Sequence, residues 1–203
     1  MNKTIYFPYG QRELDYLSGR DERLGALIAQ TGPIQREVNP DLFSALANTI
    51  VGQQLSGKAA ETVWNRLLDS LAGICTPEKI AARSRDALRA CGLSYRKADY
   101  LLSAAASVRS GELDLEQLRH LSDGAVCDCL TRLHGVGVWT AEMLMIFSLQ
   151  RPDILSWNDL GIRRGISLLY ELDELDRDFF ERCRARYSPY ASVASFYFWE
   201  LRP

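Results

Sequence analysis

The chain has 203 residues, 47% of them hydrophobic and 25% charged, with a formal net charge of −2. That composition can bury a sizeable core, excludes disorder as the main state, and contains no apolar run of about 18 residues to cross a bilayer. An acidic balance argues on its face against nucleic acid, although binding through backbone amides and a few local cations escapes that filter.

Thr4-Ile5-Tyr6-Phe7 is the one stretch with a strand-like look, and Met1–Phe7 has no apolar core of signal-peptide length. From there the sequence reads as helices. Asn39-Pro40 marks a cap and first turn before Leu42, Leu46 and Ile50, and Thr76-Pro77-Glu78 repeats the pattern before Ile80. Ser94 opens a helix with Ala98, Leu101, Leu102 and Ala105 on one face, and Ser122 opens one carrying Val126, Cys129, Leu130 and Leu133. Ser188-Pro189 marks a last start before Val193 and Phe196, and glycines 73, 92, 111 and 165 read as stops or turns. The prediction is an all-α chain of roughly ten to twelve short helices, with two lobes plausible. The five cysteines (75, 91, 127, 129, 183) are odd in number and scattered, and neither they nor His120 and His134 have metal-ligand spacing. Reduced thiols and a cytoplasmic protein, free or on the chromosome, are expected.

The most informative segment is Leu133-His134-Gly135-Val136-Gly137-Val138-Trp139-Thr140-Ala141, followed by an apolar helix to about Leu149. Gly-Val-Gly requires close backbone approach or a positive φ. It leaves the free N–H groups at the start of the second helix facing outward, a nest that binds phosphate without side-chain charge. A plain αα-turn would also contain two glycines, but the longer pattern through Trp139 favours the helix-hairpin-helix reading.

Trp139 to Leu149 makes about 16 Å of helix, and residues 151–157 return about 23 Å if extended. Asp159 can therefore come back beside the hairpin helix's N-terminus. A carboxylate facing bound DNA is out of place unless it acts on something cationic. Asp159, or Asn158 in its stead, also suits the cap of the helix Leu160–Leu172, and the two roles are compatible.

These residues carry a resemblance. Leu133–Gly165 looks like the helix-hairpin-helix DNA glycosylase superfamily, and is most similar to its alkylpurine branch, DNA-3-methyladenine glycosylase II. Ile50-Val51-Gly52-Gln53-Gln54-Leu55-Ser56-Gly57-Lys58, Gly92-Leu93-Ser94-Tyr95-Arg96-Lys97 and Ser188-Pro189-Tyr190-Ala191-Ser192 resemble further segments of that branch, in the family's order. Asn158 stands where many relatives have a first Asp, and Ala191 replaces a common Arg. The resemblance implies a single glycosylase domain over 1–203, its two helical lobes flanking a DNA-facing cleft. The core would run from about 36 to 200 and the hairpin from about 123 to 149, with segment 1–35 packed on the C-terminal lobe.

It also implies the site. Asp159 would be the catalytic acid, and Trp139, Tyr190 and Trp157 would line the base pocket, where aromatic faces attract a cationic alkylated purine by about 0.5–2 kcal/mol. Core packing is the competing role for each ring. Gly135, Val136, Gly137, Val138 and Thr140 would hold phosphate, and the carbonyls of Thr131, Leu133 and Val136 would hold a structural Na+ or K+. Gln54 would wedge into the hole left by a flipped nucleotide, with Leu55 second and Ser56 beside it. Tyr95-Arg96-Lys97 either touches phosphate, with Lys97 the chosen contact, or is a solvated basic face. Cys183 is the only cysteine in the last 70 residues, so the four-cysteine iron–sulfur loop of some relatives is absent and no cofactor is required.

The expected function is a monofunctional glycosylase releasing 3-methyladenine and 7-methylguanine from double-stranded DNA in base excision repair, acting as a monomer away from membranes. A bifunctional glycosylase/lyase needs an amine nucleophile, yet Trp139 occupies the position of the lyases' Lys, and no Lys follows Lys97. A helix-hairpin-helix DNA-binding module without chemistry would need neither an acid at 159 nor a pocket.

Overall fold

A computed structural model describes residues 4–201. It contains twelve α-helices, one 3-10 turn (Gln117–His120) and a two-stranded antiparallel ribbon, β1 (Ile5–Tyr6) paired with β2 (Glu37–Val38). Among the described residues, no helix is long and apolar enough to cross a membrane. The chain divides into two units, one formed by residues up to 38 together with those from 145 onward, the other by Asn39–Leu144.

In the first unit, α1 (Gln11–Arg20) and α2 (Glu22–Thr31) form a helical hairpin pivoting on Asp21, whose side chain accepts from Leu24 N–H at 3.0 Å. Its other helices are α10 (Leu160–Tyr170), α11 (Arg177–Tyr187) and α12 (Ala191–Phe198). Every residue of α12 is buried, so it is a central helix, apolar all round apart from Ser192 and Ser195. Those two hydroxyls are satisfied within the unit: Ser192 donates to Arg151 O at 2.7 Å and Ser195 to Ala191 O at 3.0 Å. Gly165 is not a helix stop. It lies buried inside α10, where a Cβ would stand 2.3 Å from Phe198 O, so its lack of a side chain lets α10 and α12 touch.

The second unit packs α3 (Leu42–Gly52), α4 (Gly57–Ser70), α5 (Pro77–Ala81), α6 (Arg85–Ala90), α7 (Tyr95–Arg109) and α8 (Asp123–Thr131). Leu46, Ile50, Leu67, Ile80, Leu88, Leu101 and Val126 form its core. The division falls within α9 (Val138–Phe147).

Thr76, Ser94 and Ser122 cap their helices as expected, each hydroxyl accepting from the N–H three residues on. Two caps differ. Asp41, not Asn39, caps α3, because Asn39 turns its carbonyl to Asp41 N–H and Asp41 then reaches Ser44 N–H at 3.0 Å. Ser188 ends α11 instead of starting α12, whose first N–H, on Ala191, is met by Asp153 at 3.3 Å. Glycines 73, 92 and 111 have positive φ and are turns, as read.

Candidate active site

The hairpin's two glycines differ. Gly135 has φ +83, and a Cβ there would stand 2.2 Å from the Tyr100 ring, so both conformation and contact demand glycine. Gly137 has no positive φ, and a Cβ on it would meet nothing within 4 Å. Val136 is buried and anchors the turn, its N–H donating to Leu133 O at 3.1 Å. The first bond of α9 runs from Ala141 N–H to Gly137 O at 3.0 Å, which puts the positive end of the helix dipole at 137–139. Val138 and Trp139 are exposed there, at 45% and 38%. Thr140, expected to contact DNA, is instead buried, because its side chain falls on the core side of the first turn. Thr131, Leu133 and Val136 offer neutral carbonyl oxygens, the donor type a hard monovalent cation accepts. The Leu133 oxygen keeps a second lone pair beside its bond from Val136.

The loop after α3 exposes Gln54, Leu55 and Ser56. Gln54 sits at φ +57, uncommon for a residue with a side chain. Ser56 occupies the N-cap position of α4 without a side-chain cap bond. Lys97 does not reach out as a phosphate contact would. Its Nζ donates to Val51 O at 2.7 Å and to Gln53 O at 2.6 Å, so it neutralises the carbonyl end of α3, and burial holds it below the usual lysine range. Gln53, the polar residue paired with the wedge candidate Gln54, donates from Nε2 to Gly135 O at 2.8 Å, a partner that the sequence did not indicate. Tyr100, to which the sequence assigned no role, supports Gly135 from α7.

Asp159 lies in the other unit and is buried, with 8% of its surface exposed. It is the N-cap of α10, and Asn158 is not. Its Oδ1 accepts from Ile162 N–H at 2.9 Å and from Trp199 Nε1 at 3.0 Å. Trp199 is stacked on Phe147 (5.7 Å between centroids) and Phe196 (6.0 Å), which fixes the indole that orients the acid. Gly161 makes room: a Cβ would come within 2.8 Å of Trp199 and 3.0 Å of the acid's Oδ1. Trp199 was not found from sequence, since nothing local links it to residue 159. A carboxylate held this firmly presents a fixed negative charge, the electrostatic requirement for stabilising a developing cation.

Of the three aromatics expected around a base, Trp139 alone is exposed. Tyr190 is half-buried, edge-on to Tyr16 at 5.2 Å. Trp157 is a packing residue instead of an open face: Phe180 meets it edge-on at 5.1 Å, and the guanidiniums of Arg163 and Arg177 lie 4.4 and 4.9 Å from its centroid. Leu160, next to the acid, is 61% exposed.

Comparison with known proteins gives this geometry its context. Residues 47–188 match the HhH-GPD superfamily base excision DNA repair protein model. DNA-3-methyladenine glycosylase 1 of Schizosaccharomyces pombe is 34% identical over 91% of this chain and 84% of its own length. The crystal structure of DNA-3-methyladenine glycosidase from Bacillus halodurans superposes with a TM-score of 0.85 at 36% identity, covering 97% of this chain and 91% of that one. The structure of S. pombe 3-methyladenine DNA glycosylase Mag1 in complex with abasic DNA gives 0.83 at 33% identity, over 94% and 96% of the two chains. The chain belongs to the HhH-GPD superfamily of base excision DNA repair proteins.

Proposed function

We propose that this protein binds double-stranded DNA and, as a monofunctional DNA-3-methyladenine glycosylase, hydrolyses the N-glycosidic bond of alkylated purines. The observation that carries the reading is the buried carboxylate of Asp159, fixed at the cap of α10 by Ile162 N–H and Trp199, in a chain of this superfamily.

An N-alkylated purine carries positive charge and departs with the glycosidic electron pair as a neutral base. The sugar is left with cationic character at C1′, which Asp159 stabilises electrostatically. Water adds to C1′ and loses its proton to solvent, leaving an abasic site. Relatives named as 3-methyladenine glycosylases, and one of them in complex with abasic DNA, support this product. The amides at Gly135–Val138 hold phosphate, and Gln54 and Leu55 enter the duplex; the carbonyls of Thr131, Leu133 and Val136 would hold a monovalent cation, which would add positive charge beside that phosphate. Trp139 and Tyr190 contribute aromatic faces that recognise charge deficiency. The enzyme works as a cytoplasmic or chromosome-associated monomer and needs no redox or organic cofactor.

Competition assays on oligonucleotides carrying single lesions test the reading. The protein should release 3-methyladenine and 7-methylguanine, with uracil, 8-oxoguanine and thymine glycol as poor substrates, and leave the abasic strand uncleaved. Trp139→Ala should slow excision of cationic bases with non-specific DNA binding mostly kept. Faster release of 8-oxoguanine or thymine glycol than of the methylpurines would overturn the assignment.

A further inference from the structure

Three contacts in the second unit form a chain that its separate parts do not suggest. Lys97, in the first turn of α7, holds Val51 O and Gln53 O with one ammonium. Gln53, whose own carbonyl is so held, sends its side-chain amide to Gly135 O. Gly135 in turn rests on Tyr100, one turn along α7 from Lys97, closely enough that no Cβ fits between them. The loop 53–56 and the glycine hairpin are thus tied to each other directly and to α7 through two separate supports.

The tie falls where stiffness matters. Gln54 holds a left-handed conformation while its side chain and that of Leu55 are exposed, so little packing on the loop's outer side keeps it in shape. Opening a base step works against stacking, which a compliant loop would meet by folding back. Lys97's two bonds and the Gln53 amide are what hold the residue before Gln54 in place.

We infer that Lys97 and Gln53 are positioning residues that lock the 53–56 loop to the glycine hairpin, so that seating the hairpin on phosphate and opening the duplex become one event. This rests on the glycosylase reading above. It assigns Lys97 a role inside the protein in place of a contact with the ligand. It predicts that breaking the tie uncouples binding from base extrusion: the hairpin still grips the backbone, while the wedge loses the strut behind it.

The test compares wild type with Gln53→Glu, Gln53→Ala and Lys97→Met. The substrate is a duplex carrying 7-methylguanine with 2-aminopurine beside it, whose fluorescence rises when the base step opens. Gln53 is half-buried in a loop, so its substitutions do not endanger the fold, and Gln53→Glu keeps the shape while setting an acceptor against Gly135 O. Each variant should lower the fluorescence rise and the single-turnover excision rate by about tenfold or more. Affinity for an unmodified duplex should stay within about twofold of wild type, since phosphate contacts alone supply non-specific binding. Because both residues brace one loop, the double variant Gln53→Ala/Lys97→Met should be little worse than the weaker single one, and Lys97→Arg, which can still bridge both carbonyls, should recover most of the loss. Unchanged excision in the Gln53 variants, or a parallel fall in affinity and rate, would overturn the inference. A wild-type protein that releases no base would instead overturn the glycosylase reading, and the inference with it.

Discussion

In the hairpin the proposed chemistry belongs to the main chain, whereas at Asp159 it belongs to one side chain. The hairpin presents glycine, amide and carbonyl at an exposed helix start, with Val138 and Trp139 open beside it. Asp159 is sunk to 8% exposure and held by a tryptophan forty positions away. The difference shows how an acidic protein can be built for a polyanion. The proposed grip would draw on helix dipole and amides, which do not appear in the net charge, while the carboxylate proposed to serve a cation is enclosed and fixed.

The sharpest test of that contrast is Asp159→Asn, which keeps the shape and a cap for α10 but removes the charge. Base excision should fall at least about a hundredfold, equivalent to about 2.7 kcal/mol of transition-state stabilisation, with DNA affinity retained. Next come the two hairpin glycines, which should separate fold from ligand. Gly135→Ala combines a left-handed φ with a clash on Tyr100, and should lower the melting temperature by roughly 5–10 °C. Gly137→Val has room in the protein, so the melting temperature should hardly move, while affinity for any duplex should weaken about tenfold. An unchanged affinity for Gly137→Val, with the fold intact, would make the hairpin structural only.

Trp199→Phe should be milder. It keeps an aromatic ring against Phe147 and Phe196 but deletes the Nε1 donor to Asp159. A hydrogen bond to a charged acceptor is worth about 1.5–3 kcal/mol, and partial retention of the acid's position by Ile162 N–H should limit the loss of excision to about tenfold.

The smallest effect concerns Asp21, between α1 and α2, which meets Tyr170 at the opposite end of α10 from the acid. Its carboxylate is met by Tyr170, Tyr187 and Arg186 as well as by Leu24 N–H. Burial pushes its pKa up, but the bonds from Tyr170, Leu24 and Arg186 together pull it below the usual carboxylate value. A depressed folded pKa contributes stability that is present above the unfolded value, about 4, and is lost as pH falls through the folded value. Urea midpoints of wild type and Asp21→Asn should therefore differ at pH 7 by a modest amount and converge below pH 4.

Local signals were readable wherever cause and effect lie within a few residues. Thr76, Ser94 and Ser122 cap helices because a short hydroxyl reaches the N–H three residues on. The Gly-Val-Gly hairpin was readable in part: Gly135 needs glycine for its φ and for Tyr100, whereas nothing within the protein requires it at Gly137. Partners distant in sequence were not. Ser188 had the composition of a cap, yet Asp153 supplies the bond to α12, and Lys97 had the composition of a phosphate contact until two carbonyls 44 and 46 residues away claimed it. Trp157, one of three similar aromatics, was claimed by Phe180 and two arginines, and Gly165 proved to be a contact point with Phe198. Burial decides such roles, and burial is a tertiary property.

The order in which the two units use the chain bears on how the protein is made. Asn39–Leu144 is one uninterrupted stretch, whereas its counterpart joins residues from before 39 to others after 144. During synthesis the continuous unit can complete its contacts as soon as it clears the ribosome, because every partner within it has been made by residue 144. The α1–α2 hairpin has no such option: Asp21 finds Tyr170, Arg186 and Tyr187, and Tyr16 finds Tyr190, only after α10, α11 and the start of α12 have been translated. Leu17 and Leu24, fully enclosed in the finished protein, gain their complete cover only then, so the N-terminal helices wait for the C-terminal ones to reach their final packing.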